Sequence, residues 1–197
     1  MKKTEKKVFN YCQRVKLDGG IGGTPQSRFF SANSLYDPDQ SGVGHQPLGF
    51  DEWMRFYDHY TVIGAKIKIV CMARSGTVPQ ANNLVAISLR DGPSVQGSIE
   101  TIIEQGRSTY GVVGGTDGGA PTLSLEHNMN VGKYLGYASP MSADNLRGTA
   151  STSPTEQAFF EVSTAAVDFT EDALPIDLIV TIEYTAVLSE PKPLIGS

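Results

Sequence analysis

Residues 176–188 read IDLIVTIEYTAVL, and this stretch is the strongest single indicator of the fold class. Its β-branched and aromatic residues favour extended backbone, and neither proline nor glycine interrupts the run. A second stretch of similar composition, QAFFEVSTAAVDF, lies upstream at 157–169. Both stretches predict long β-strands in the C-terminal part of the chain.

Alternation within residues 60–74 predicts another long strand, one with two unlike faces. Apolar side chains from Ile63 to Ile69 alternate with Lys66 and Lys68, so one face is apolar and the other carries charge. The pattern is typical of a strand whose inner face contributes to a core. Further strands are predicted over 8–17, 27–36, 84–90, 110–113 and 123–129.

Short helices are predicted in the connections between these strands. In residues 50–60, Trp53, Phe56, Tyr57 and Tyr60 follow helical i, i+3, i+4, i+7 spacing. Such an aromatic stripe is expected to pack into the core, and contact with a neighbouring subunit is the alternative. Two more short helices are predicted over 98–105, with Ser98 as the N-cap, and over 143–147.

The strand count and the connections predict an all-β protein. There are about eight predicted strands, no βαβ alternation, and 32 glycines and prolines (21 and 11), many of them in turn-like segments such as 75–83 and 114–121. An eight-stranded antiparallel sandwich of this size is typically a jelly roll. We therefore expect a single eight-stranded antiparallel jelly roll (β-sandwich) with short helices in the loops.

The chain length of 197 residues suits one domain. We expect a basic N-terminal stub at 1–7, a jelly-roll shell domain at 8–190 and a C-terminal tail at 191–197. The start of the chain does not resemble a signal peptide, and no apolar run approaches the length of a membrane span. We expect no membrane insertion. Cys12 and Cys71 are expected to be small buried side chains, and a disulfide between them is the alternative.

Charge is distributed unevenly along the chain. The net charge is −5, yet residues 1–16 contain six basic side chains and one acidic side chain, which gives +5, and the remainder carries −10. A basic N-terminus on an acidic body indicates contact with a polyanion. A terminus that only improves solubility is the alternative.

The block at residues 31–69, SANSLYDPDQSGVGHQPLGFDEWMRFYDHYTVIGAKIKI, carries a family resemblance. It contains ANSLYDPD at 32–39, GHQP at 44–47, GFD-W at 49–53 and Y--Y-V-G-KI at 57–67. In order and spacing it resembles the capsid (coat) proteins of small circular single-stranded DNA viruses of the Rep-encoding group, especially circovirus-like members. The resemblance covers about a fifth of the chain.

The resemblance implies a structural protein of a virion and not an enzyme. Members of this family are single jelly-roll subunits that form small icosahedral (T=1) shells, typically of sixty copies, around one circular genome inside the host cell. The implied partners are other copies of the chain, viral single-stranded DNA bound without sequence preference, and a host receptor. The block would span the end of the second strand, a long loop with its short helix, and the third strand.

Simple physical arguments assign candidate contact residues within this block. Pro38 between two aspartates favours a turn, and a helix after the loop would hold the loop rigid. A rigid loop can serve as a subunit-contact surface, and aromatic residues, methionine and arginine are enriched in such contacts. The subunit-interface candidates are Trp53, Met54, Arg55 and Tyr57.

Nucleic acid would be bound by charge, through contacts to phosphates. Phe9 or Tyr11 could stack on a base. Lys66 and Lys68 could instead form a solvated strand face. The candidate nucleic-acid-binding residues are Lys2, Lys3, Lys6, Lys7, Arg14, Lys16, Lys66 and Lys68.

The N-terminal segment departs from the family, whose members usually carry a long arginine-rich arm. Sixty copies of six basic residues supply about 360 positive charges, fewer than the phosphates of a genome of a few thousand nucleotides. Genome binding is therefore less well supported than shell formation.

Three other kinds of site have weaker support. Residues 37–42 mimic the start of a calcium loop, but the twelfth position holds Leu48 where glutamate is required. Calcium held between subunits by Asp37 or Asp39 is the remaining metal alternative. The glycine-rich loop at 18–25 precedes a strand, which excludes a phosphate-binding loop.

Catalysis is not expected, because the histidines at positions 45, 59 and 127 lack a paired ligand spacing and no nucleophile motif occurs. We expect no cofactor. The alternative function from another class is a lectin-like jelly-roll binding module.

Overall fold

The computed structural model describes residues 3–74, 81–114, 121–172 and 174–193. Lys2 and most of the predicted turns at 75–83 and 114–121 lie outside these ranges. Within them the protein is all-β, as predicted. The eight strands are β1 Thr4–Leu17, β2 Gln26–Ser31, β3 Tyr57–Ala73, β4 Asn83–Arg90, β5 Ser108–Val113, β6 Thr122–Asn130, β7 Phe159–Ala166 and β8 Ile176–Pro191.

The strands form two four-stranded antiparallel sheets. Sheet A has the order β1-β8-β3-β6 and sheet B the order β2-β7-β4-β5. Each of the pairs β1/β2, β3/β4, β5/β6 and β7/β8, consecutive in sequence, is divided between the two sheets, so the chain crosses repeatedly from one layer to the other. This arrangement confirms the predicted jelly roll.

The core lies between the two sheets, and the sequence alternation predicts which side chains enter it. On β8, alternate residues from Ile176 to Leu188 are buried. On β3, Ala65 and Ile67 are buried while Lys66 is exposed, as predicted. A register shift between Val62 and Gly64 moves Ile63 out of this alternation, so Ile63 is only half-buried.

Three short α-helices lie in the connections: α1 Phe50–Met54, α2 Ile99–Glu104 and α3 Val131–Leu135. The predicted helix with a Ser98 cap is confirmed, since Ser98 accepts a hydrogen bond from the Thr101 amide. The helix predicted over 143–147 is a single 3-10 turn, Asp144–Leu146. The sequence did not predict helix α3, because it is only five residues long and has a glycine, a poor helix former, at its second position.

The helix predicted over 50–60 is wrong beyond Met54. Strand β3 begins at Tyr57, and its residues pair with the end of β8, for example Tyr57 with Pro191. Tyr60 is buried as a strand residue, whereas Phe56 is 46% exposed. Long-range pairing with β8 overrides the local helical spacing of the aromatic residues, because a paired strand buries more of this segment than an isolated short helix would.

Two strand boundaries also differ from prediction. Strand β1 begins at Thr4, which pairs with Ser189 of β8, so much of the predicted basic stub belongs to the sheet. Strand β2 ends at Ser31 instead of residue 36, because the chain turns back and the Ser31 amide donates to the Pro38 carbonyl.

The two cysteines lie in different environments. Cys71 is fully buried, as predicted. Cys12 is exposed on the outer face of β1, so its predicted burial is wrong, and both thiols are free. The strand pattern around Cys12 did not reveal which face it occupies.

Candidate nucleic-acid and subunit-contact surfaces

The first part of the loop after β2 is anchored in the body of the protein. The Asn33 side chain donates to the Glu156 carbonyl at 2.9 Å and accepts from the Ala158 amide at 3.0 Å. The Tyr60 hydroxyl accepts from the backbone amides of Leu35 and Tyr36 at 3.3 Å. These bonds satisfy buried polar groups of an irregular segment, which would otherwise be costly to bury.

Asp39 ends this anchored part, and its carboxylate is fully buried. The Arg28 guanidinium lies 2.6 Å from the Asp39 Oδ2 atom, and the Ser41 amide donates to Oδ1 at 3.1 Å. Gly44 packs so closely that a Cβ there would lie 2.6 Å from the Asp39 Cβ. The fit explains why an arginine, a buried aspartate and a glycine occupy these positions.

The predicted turn at residues 37–39 therefore contains a buried ion pair. Burial, and secondarily the charge of Asp39, raises the pKa of the Asp37 carboxyl. In the described ranges, no group of three or more histidine, cysteine, aspartate or glutamate side chains is arranged to hold a metal ion. The Arg28 guanidinium offsets the charge of Asp39 within the chain.

The second part of the same loop faces solvent and contains apolar side chains. Leu48 is 94% exposed and Val43 75% exposed. Leu48 is followed by Gly49 at φ 82°, a left-handed conformation that lets the chain turn into α1. Large exposed apolar residues on a loop with a fixed base are typical of a contact surface.

The four predicted subunit-interface residues do not lie on one surface. Met54 and Tyr57 are 2% and 3% exposed, so the structure places both in the core of the chain. Trp53 is half-buried, and the Lys7 ammonium lies 4.1 Å from the centre of its ring. Arg55 is exposed. The sequence pattern did not distinguish aromatic residues that pack inward from those that face solvent.

We use the name loop surface for Val43, Leu48, Arg55 and Phe56, four of the exposed residues of this segment. Sequence reasoning selected Arg55 among them and gave Phe56 a subunit contact as the alternative to core packing. The available signal was the presence of Val43 and Leu48 in a loop that has no periodicity to bury them.

Most of the predicted nucleic-acid-binding cations lie on sheet A. Lys6, Arg14 and Lys16 project from the outer face of β1, the exposed edge strand of the sheet. Lys66 and Lys68 project from the same face of β3. Lys3, one residue before β1, is exposed, and Lys2 lies outside the described residues.

Several of these cations already have partners within the chain. The ammonium groups of Lys66 and Lys68 lie 2.7 Å and 3.7 Å from the Glu126 carboxylate. Hydrogen bonding and charge raise the pKa of Lys66, and the hydrogen bond from Lys66 lowers that of Glu126. Lys7 lies 3.3 Å from Glu5. These lysines are therefore weaker candidates for contacts to phosphate than Lys6, Arg14 and Lys16.

The two aromatic residues predicted to stack on bases are not accessible. Phe9 and Tyr11 face inward from β1 and are buried, and Phe9 packs edge-on against Phe50. Stacking of a base on these rings is therefore excluded.

The histidines lie on separate elements. His45 is exposed and stacks on Tyr11, with ring centres 4.8 Å apart. His127 is half-buried on β6, where the Thr109 hydroxyl lies 2.9 Å from its Nδ1 atom, and burial lowers its pKa. His59 lies near the start of β3, where its Nδ1 atom is 3.2 Å from the Glu190 carboxylate. The structure does not assemble these three groups into one site.

Comparisons with known proteins identify the fold. No protein-family model matches the chain, and no curated protein matches it. The decameric capsid protein of BFDV, a circovirus, has a similar structure: TM-score 0.51 and 10% identity, over 95% of this chain and 99% of that one. The fold is that of a viral capsid jelly roll.

Two other similar structures also come from viruses. The 60-mer BFDV capsid protein has a TM-score of 0.49 and 7% identity, with complete coverage of both chains. The Desmodium yellow mottle tymovirus structure has a TM-score of 0.41 and 16% identity, over 98% of this chain and 93% of that one. No helix within the described ranges has the length and apolar character needed to cross a membrane.

Proposed function

We propose that this chain is a viral coat protein that assembles with copies of itself into a small icosahedral shell enclosing a circular single-stranded DNA genome. The main supporting observation is the eight-stranded, two-sheet fold, which is similar to the BFDV capsid protein over 95% of this chain and 99% of that one, with a TM-score of 0.51. The sequence block at 31–69, which resembles circovirus-like coat proteins, adds the proposal for the genome type.

The loop surface is the proposed contact between subunits. Its base is fixed by Asn33 and Asp39, so binding would not have to order the backbone at that base. Burial of an exposed leucine side chain contributes about 1.5–3 kcal/mol, and sixty identical contacts would repeat this gain around the shell. Contacts of this kind must close under symmetry to yield a particle of defined size.

Strand β1 is the proposed contact with the genome. Lys6, Arg14 and Lys16 are exposed on one face of β1. Within the described ranges none of the three forms an ion pair, although the hydrogen bond from Arg74 and, to a smaller extent, the charge of Lys16 lower the pKa of Asp177. The three cations would contact phosphates without reading sequence. In this proposal the whole of β1 belongs to the shell domain, and its cations face inward.

Assembly of the purified chain tests the proposal. Size-exclusion chromatography and negative-stain electron microscopy over a range of salt and pH should show uniform closed particles of about sixty subunits, the number expected if every copy has an equivalent environment. A stable monomer or trimer under all conditions would contradict it. The comparisons do not favour the lectin-like alternative.

Nucleic-acid content requires a separate test. Because residues 4–7 are paired with β8, their deletion would damage the sheet, so substitution is the better experiment. The triple variant Lys6→Gln, Arg14→Gln, Lys16→Gln should lower the 260/280 nm absorbance ratio of purified particles. Unchanged nucleic-acid content would show that these cations do not hold the genome.

A further inference from the structure

A hollow lies at the end of the sandwich where β4 ends, β5 begins and β6 leads into α3. Its volume is about 340 Å³, and a second hollow of about 380 Å³ shares the lining residues Leu89, Arg107 and Tyr134. We call the two together the Tyr134 hollow. Each volume lies at the lower end of the range found for small-molecule sites.

Two cations at the Tyr134 hollow have no acidic partner. No ion pair involves Arg107 or Lys133 among the residues that the structure describes, and both side chains are exposed. This differs from Lys66 and Lys68, which share Glu126. A cation without a carboxylate partner can bind a phosphate without first breaking an ion pair.

The other charged side chains that line the hollow are Arg90, which is paired with the buried Glu161, and Asp91. Arg90 lines the second hollow, but it is buried, hydrogen-bonded to Gln105, and its Nε atom lies 3.7 Å from Glu161. Asp91 is the acidic residue of that lining. The available positive charge therefore comes from Arg107 and Lys133.

The hollow also contains planar groups on which a base could stack. The Arg107 guanidinium lies 4.7 Å from the centre of the Tyr134 ring and also hydrogen-bonds its side chain. Leu89 and Met129 add apolar lining. Nucleic-acid bases stack on aromatic rings and on guanidinium planes, and this combination distinguishes a nucleotide site from a site for a simple anion.

Amide side chains complete the set of groups that a base could contact. Asn128 and Asn130 both line the hollow. The Asn130 Oδ1 atom accepts from the Lys133 amide at 2.9 Å, so the Asn130 amide nitrogen remains available as a donor. Donors and acceptors of this type match the edges of bases.

We propose that the Tyr134 hollow binds one nucleotide of a single-stranded nucleic acid, with the phosphate contacting Arg107 and Lys133 and the base against the Arg107–Tyr134 pair. The proposal rests on the nucleic-acid part of the proposed function and does not require shell assembly. It assigns binding to Arg107, just before β5, and to residues of β6 and α3, at the edge of sheet A opposite β1.

Binding of a labelled oligonucleotide tests the charges. The double variant Arg107→Gln, Lys133→Gln should bind fluorescein-labelled oligo-dT about tenfold or more weakly in fluorescence anisotropy. Its salt dependence should fall by about 0.7 in log–log slope, which corresponds to one phosphate on a single strand. The matched control Arg74→Gln, Lys192→Gln also removes one arginine and one lysine, and it should change affinity less than about threefold, because these cations already lie beside Asp177 and Asp58. Equal losses in the two variants would indicate general charge attraction and would overturn the proposal.

The wild-type chain provides a test that does not depend on variant folding. Oligo-dT containing 5-iodouracil should crosslink under ultraviolet light to a peptide containing Tyr134 or His127, as identified by mass spectrometry. 5-Iodo-2′-deoxyuridine monophosphate, in a parallel arm, distinguishes a free nucleotide from a nucleotide within a strand. Crosslinking by the oligonucleotide, with or without the monophosphate, supports the site. Crosslinks confined to β1 or to no defined peptide would overturn it.

A third measurement separates the contribution of the planar guanidinium of Arg107 from that of its positive charge. Arg107→Lys retains the positive charge but loses the planar guanidinium. It should weaken oligonucleotide binding about three- to tenfold while leaving the salt slope unchanged. An unchanged affinity would overturn the base contact. If the chain forms no shells but binds the oligonucleotide through Arg107 and Lys133, the proposed coat-protein function is wrong and the proposed nucleotide site still stands.

Discussion

The two parts of the loop between β2 and α1 differ in burial, and the difference separates what supports the fold from what is available for assembly. Residues 32–39 are bonded into the body of the protein through Asn33, Tyr60 and Asp39. Residues 41–48 expose Val43 and Leu48 to solvent. The first part therefore fixes the position of the second part on the surface of the subunit. Substitutions in the first part should destabilise the subunit, whereas those of Val43 and Leu48 should affect only its association.

The largest expected loss of stability follows removal of the partner of Asp39. Arg28→Ala leaves the fully buried Asp39 carboxylate without its guanidinium, and it should lower the free energy of unfolding by about 3 kcal/mol, since an uncompensated buried charge is costly. Urea denaturation at neutral pH measures the change. The control Arg55→Ala removes an exposed arginine and should change it by less than about 0.5 kcal/mol. Equal effects would show that the ion pair does not anchor the loop.

The sequence predicted the strands better than it predicted this loop. Alternation identified β3, because burial of one face imposes a period of two on the sequence, whereas β-branched and aromatic residues identified β8. The aromatic residues at 53–60 satisfied a helical period as well. Only pairing with β8, more than a hundred residues away, decides that Tyr57 and Tyr60 lie on a strand.

The candidate sites depend even more on long-range contacts. Arg28 and Asp39 form an ion pair because the chain reverses after Ser31, which local patterns did not predict. Arg107 and Lys133 line one hollow because β5 and β6 approach each other from different sheets. The basic residues near the N-terminus were found easily because they are close in sequence, although Lys7 is already paired with Glu5.

A somewhat smaller effect is expected for Asn33. Asn33→Ala removes both side-chain hydrogen bonds to the segment at 156–158 and leaves the Ala158 amide without this partner. An unsatisfied buried group costs about 1–3 kcal/mol, so we expect a loss of about 2 kcal/mol in thermal or urea unfolding. Asn33→Asp retains the acceptor for the Ala158 amide and should lose less. If Asn33→Asp is the more destabilising of the two, the carboxylate charge outweighs the retained bond and the anchoring by hydrogen bonds is not the main effect.

A pH-dependent effect is expected at Asp37, at the boundary between the two parts. Burial, with the charge of Asp39, raises the pKa of Asp37 in the folded state, so its protonated form is favoured by folding. Its contribution to stability is therefore present at pH values below the unfolded pKa and is lost as pH rises through the folded pKa. Asp37→Asn should be more stable than the wild type at pH 7, and this advantage should disappear as pH falls below about 4, the ordinary pKa of aspartate.

Thermal unfolding of both proteins between pH 3 and pH 7 measures the difference. Glu52→Gln, which removes an exposed carboxylate of α1, is the matched control and should show a much flatter difference across this range. If Asp37→Asn is more stable than the wild type by the same amount at every pH, the gain comes from the amide side chain itself and not from removal of the Asp37 charge.

The smallest effect on the subunit, and the largest on assembly, is expected for Leu48→Asp. Because Leu48 is almost fully exposed, its replacement should change the free energy of unfolding of the isolated subunit by less than about 0.5 kcal/mol. In a closed shell the same side chain would be buried against a neighbour, and a buried unpaired charge there would cost several kcal/mol at every contact. Negative-stain microscopy should therefore show no closed particles for this variant. Val95→Asp, at another exposed apolar residue outside the loop surface, should still assemble, and if both variants assemble, the exposed part of the loop is not the contact between subunits.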